Sequence, residues 1–129
     1  MTVGLSTANL ANKWLDMLGG TAFTAPGTVY VKLHTADPGA SGATAASAET
    51  TRKALSWSAA SAGSKAISAS VSWASWSAGS ETISHISLWD ASTAGNFLGS
   101  AALTASKAVA NSDTLTLSSL SVSLTPLAA

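Results

Sequence analysis

The sequence contains no cysteine, which excludes disulfides, thiolate nucleophiles and cysteine-held zinc. Charge is nearly as scarce. Asp, Glu, Lys and Arg make up 9% of the 129 residues, against roughly 25% in ordinary soluble domains. Six basic side chains balance 6 acidic ones, for a formal net charge of +0. A neutral chain lacks the electrostatic footprint of a nucleic-acid binder, and Arg52-Lys53 is the only adjacent basic pair. No nucleic acid is expected as a partner. An apolar run of about 18 residues is also missing, so no membrane span is expected. Met1 to Leu10 shows no basic region followed by an apolar one, so a secretory signal is not expected either.

What the chain does have is small residues, with large side chains arriving in short bursts among Ser, Thr, Ala and Gly. A surface so poor in charge must be covered by hydroxyls or by partners. The length fits one domain over 1–129. Near its start, Leu10, Trp14, Met17 and Leu18 recur at i, i+4, i+7 and i+8. That spacing predicts a helix over about 7–18 whose apolar stripe packs inward. Ser6 or Thr7 supplies the N-cap, and Gly19-Gly20 supplies the left-handed stop. Such a short helix must lie on a sheet or on a neighbouring subunit.

From about residue 28 to 125 the period becomes two. Val29, Val31 and Leu33 alternate with Tyr30, Lys32 and His34, the pattern of a half-buried strand. Asp37-Pro38-Gly39 then makes a turn, with Asp37 accepting backbone hydrogen bonds. A long, small-residue surface loop follows over 40–51. Further strands centre on Leu55-Trp57, Ile67-Val71-Trp73, Ile83-Trp89 and Leu98-Leu103, with Ser61 to Ser64, Ala78 to Ser80 and Ser92 to Asn96 as turns. Between Thr114 and Thr125 the apolar phase slips at Ser118-Ser119, so a bulge or a change of sheet is expected there. Short strands about ten residues apart point to a mainly β chain, an antiparallel β-sandwich or barrel-like domain with one N-terminal helix.

Chemistry-bearing residues are few. His34 and His85 could each be joined to Asp37 or Asp90 and to one of many serines, but serine abundance makes such triads cheap and no G-x-S-x-G elbow occurs. The reading is therefore no catalytic residue, no cofactor site and no metal site, since two histidines some fifty positions apart match no ligand spacing. The 5 tryptophans stand out. Trp57, Trp73 and Trp89 are expected to fill the core. Trp76 falls on the opposite parity to Val71 and Trp73, which makes it the candidate exposed or interface residue.

Four blocks carry a resemblance. Val29 to Gly39 (VYVKLHTADPG), Arg52 to Trp57 (RKALSW), and the pair His85 to Ala91 with Phe97 to Thr104 resemble, in the same order, segments of small surface proteins of tailed-bacteriophage virions. These are the proteins of actinobacteriophages labelled capsid-decoration, head-fibre or tail-fibre. The resemblance implies a non-enzymatic virion protein, assembled in the host cytoplasm and contacting other virion subunits such as the major capsid protein or tail proteins. It also implies homo-oligomers, for which trimers are the usual form among decoration proteins. The short chain suits capsid decoration or reinforcement. The alternative is a small tail-fibre or minor tail protein with a glycan- or receptor-binding surface.

Overall fold

Alternation makes Val29–His34 a strand, and that strand is an interior one of the main sheet. The computed structural model describes residues 3–124; Thr125, the expected end of the last strand, lies outside the described residues. In chain order the strands are β1 (Gly4–Leu5), β2 (Val29–His34), β3 (Lys53–Leu55), β4 (Ser64–Ala66), β5 (Val71–Trp73), β6 (Glu81–Trp89), β7 (Phe97–Val109), β8 (Leu115–Leu117) and β9 (Ser121–Ser123). A five-stranded antiparallel sheet has the order β1-β7-β6-β2-β3, and two antiparallel pairs, β4-β9 and β5-β8, complete a sandwich-like arrangement.

The register of β2 on β6 sorts side chains by face. Val31 opposes Leu88 and Leu33 opposes Ile86, whereas Tyr30 opposes Trp89, Lys32 opposes Ser87 and His34 opposes His85. The first set belongs to the core side. Val31, Leu33 and Ile86 join Leu55, Trp73, Trp76, Ile83, Val109 and Leu115 in one buried cluster. The second set forms the opposite, more polar face.

The phase slip at Ser118-Ser119 is a change of partner. Leu115 to Leu117 pair with β5, and Ser121 to Ser123 pair with β4. One-residue slippage lets Leu117 and Leu120 both pack on the core. A second break lies between β6 and β7. Ile83 opposes Lys107 and His85 opposes Ala102, so two steps on β6 span five on β7. The surplus bows outward through exposed Thr104 to Ser106. Turn chemistry is local: Ala62 and Gly63, both with positive φ, join Ser61 to Ser64 through two reciprocal backbone bonds, as a type I′ hairpin requires.

Residues 7–19 form the expected helical stretch, but its pitch changes along its length. It is π-helical over Thr7–Ala11, α over Asn12–Asp16 and 3-10 over Met17–Gly19. Ser6 caps it, its hydroxyl accepting from Asn9 N–H at 3.4 Å, and Gly20 at φ 86° ends it. The inward stripe needs correcting. Leu10 and Trp14 are half-buried, but Met17 and Leu18 are exposed, Leu18 by 87%. The cause is where the helix is tied. Ser6 N–H donates to Leu98 O and the Asn9 amide donates to Phe97 O, so the first turn sits on β7 and the last overhangs.

Candidate functional site

On the polar face of the sheet, the 40–51 loop folds back over β2. Thr35 N–H donates to Ala45 O, Ser47 N–H to Leu33 O, and Thr44 N–H to Pro38 O. Glu81 of β6 receives the Ser47 hydroxyl and the Ala48 N–H. Gly42 presses against Phe97, with no room for a Cβ beside the ring. At the loop's entry Asp37 accepts from Gly39 N–H at 2.9 Å, the local turn bond expected of it.

Under this strap lies a buried relay. His34 Nδ1 is 2.8 Å from Thr44 O; a carbonyl only accepts, so Nδ1 carries the proton. His34 Nε2, then bare, accepts from Ser87 Oγ at 2.7 Å. Ser87 Oγ in turn accepts from the indole N–H of Trp89 at 2.8 Å. Beyond Trp89 the Arg52 guanidinium stacks 3.9 Å from the ring centroid and donates to Ala91 O and Ala94 O. Phe97 packs tilted against the same indole at 5.7 Å. Asp90 closes the adjoining turn by accepting from Asn96 N–H and from its amide. Those two bonds hold its carboxyl below the usual range.

A Ser-His pair is therefore present, and sequence reasoning did not single out Ser87 as its serine. Its third member is a backbone carbonyl in place of a carboxylate, and both His34 and Ser87 are 0% exposed. No substrate atom reaches Ser87 Oγ in this geometry. The two histidines are cross-strand neighbours but share no hydrogen bond. His85 Nδ1 instead meets Ser84 Oγ, which donates to Thr35 O. Burial is the main reason that the His34 pKa lies below its ordinary value, with the Thr44 carbonyl opposing the shift. Among the described residues, no three of His, Asp and Glu converge as a metal site would need, and no helix is long and apolar enough to cross a membrane.

The tryptophans divide differently from the sequence expectation. Trp76, the candidate interface residue, is 2% exposed and belongs to the core. Parity misplaced it because β5 ends at Trp73 and Ser75 takes φ 53°, which turns the chain back over the sheet. Its indole N–H donates to Gly79 O at 2.9 Å. Trp73 is buried as expected, bonded to Thr51 O. Trp57 is half-buried against the core, its Nε1 without an acceptor among the described residues. Trp89 is half-buried on the polar face, outside the core.

Trp57 also lines an apolar cleft of about 450 Å³ with Leu10 and Trp14 of the helix, Phe23, Leu98 and Val122. Sequence reasoning missed it because it joins stretches of chain far apart in the sequence. The available signal was the Phe23 to Pro26 segment, apolar yet outside any periodic element.

The sequence profile of a family described as Podophage GP4 fiber I protein gp80 matches residues 4–125. No curated protein matches the chain.

Proposed function

Because this chain belongs to the Podophage GP4 fiber I protein gp80 family, we propose that it is a non-enzymatic structural subunit on the virion surface, packed against other virion subunits and copies of itself. The observation that carries this reading is the family match across nearly the whole chain. The interior adds support: the polar groups that could do chemistry are spent on holding a loop. The cleft speaks against a glycan platform, because sugars need polar partners as well as stacking rings and its lining is almost wholly apolar.

The family's description favours a fibre-type component; the other reading is a unit that decorates or reinforces the capsid. Assembly takes place in the host cytoplasm on either reading. Cosedimentation of the purified protein with isolated capsids and with isolated tails separates them, and the expected result is specific pelleting with one of the two. Peptide mass spectrometry of purified particles tests the common ground, since absence of the protein there ends the virion reading.

A further inference from the structure

The exposed large hydrophobics cluster at one end of the molecule. Leu15, Met17 and Leu18 belong to the last turns of the helix, and Leu5 and Leu124, both exposed, line the apolar cleft. Leu10 and Trp14 of the helical stripe cover part of that cleft. Leu18, four residues after Trp14, continues the stripe past its edge, where no described residue covers it. A free-standing turn of helix with bare leucines gains nothing from propensity alone, and a contiguous apolar patch of this kind marks an interaction surface.

We propose that this end is a docking surface for a second copy of the same chain, the overhanging helical turn of one copy entering the apolar cleft of the next. The inference rests on the virion-subunit reading above and names the surface through which copies meet. Both halves of the contact are present on one chain. The turn bears Asp16 among its exposed leucines, and the cleft bears exposed Lys65, whose ammonium spends one bond on Ser58 O. Charge therefore matches where the two halves meet, and the contact is head-to-tail, so copies form rings when the rotation closes. The chain's own residues 125–129 are the competing occupant. They include Leu127, and truncation of these residues distinguishes that occupant from a second copy.

The test is light scattering and sedimentation equilibrium on the full chain. Wild type is expected to associate with increasing concentration. Leu18→Glu, at a solvent-facing position, is expected to be monomeric with an unchanged circular dichroism spectrum and melting temperature. Asp16→Lys and Lys65→Glu each weaken association by about tenfold, the size of a close charge pair's coupling, and the double variant recovers it. A wild type that stays monomeric to millimolar concentration overturns the proposal. So does a Leu18→Glu protein that associates normally, or a charge swap with no recovery. Dissociation caused by removing 125–129 but not by Leu18→Glu assigns the cleft to the tail instead. None of these results bears on whether the protein occurs in particles, which mass spectrometry decides separately.

Discussion

His34 and His85 are equivalent in the sequence and unequal in the structure. His34→Ala empties a fully buried site, frees Thr44 O and removes the acceptor of the Ser87 hydroxyl. It is expected to cost about 2–4 kcal/mol, whereas His85→Ala, losing one bond to Ser84, costs about 1 kcal/mol; urea titration of both variants checks the ranking. The same site sets a pH dependence. Protonated His34 would direct Nε2–H at Ser87 and leave the serine hydroxyl proton buried without an acceptor. The folded pKa lies below the ordinary 6.5, so the unfolded chain takes the proton first. Stability is complete above the ordinary value and is lost as pH falls toward the folded one. Urea midpoints of wild type should drop from about pH 7 to about pH 5 by more than those of His34→Gln; parallel curves would refute it. Trp57→Phe, which removes an indole N–H lacking an acceptor, should cost less than Trp73→Phe, which also breaks the bond to Thr51 O; the expected gap is about 1 kcal/mol or more.

At the level of elements, strand periodicity proved readable because one face of β2 and β6 is apolar and the other mostly polar. The helix cap at Ser6, the stop at Gly20, the Asp37 turn and the phase slip after Leu117 were readable for the same reason: each depends on neighbours in sequence. The slip yields a sharp test. Deleting Ser119 restores one phase across β8 and β9, so Leu120 and Val122 would change face; loss of the cooperative thermal transition is expected. What periodicity could not show is where a strand stops, and Trp76 was misplaced by counting parity beyond the end of β5. The strap over His34 was equally hidden, because its bonds run from backbone carbonyls whose positions no side chain announces. Gly42 tests that strap. Gly42→Ala adds overlap with Phe97 to a left-handed backbone and should cost about 2–3 kcal/mol. Gly79→Ala, with positive φ and open space, should cost about 1 kcal/mol. Hydrogen exchange at Thr35 and Ser47, whose N–H groups donate to Ala45 O and Leu33 O, should accelerate only in the first.

For the whole molecule, the sequence conveyed the mainly β class and the virion resemblance, but not how the second layer is assembled. That layer pairs β5 with β8 and β4 with β9, segments far apart in the chain, and the pairings follow from the apolar surface they jointly cover. A chain ending after Val109 would leave Trp73 and Leu33 without their cover and is expected to show no cooperative melt by near-ultraviolet circular dichroism. Pairing at such separations also sets the rate, and refolding should take milliseconds to seconds. The flanks of the five-stranded sheet carry a further consequence. One is closed by β3, only three residues long and bearing Lys53. The other is met by the two residues of β1, after which β7 bows out of register and carries Lys107. Brief edges, an irregular stretch and lysines are the devices that stop strands from zipping onto a neighbour's backbone. Proteins arrayed side by side at high local density, as on a particle, therefore stay discrete along their flanks and do not grow into amyloid-like ribbons.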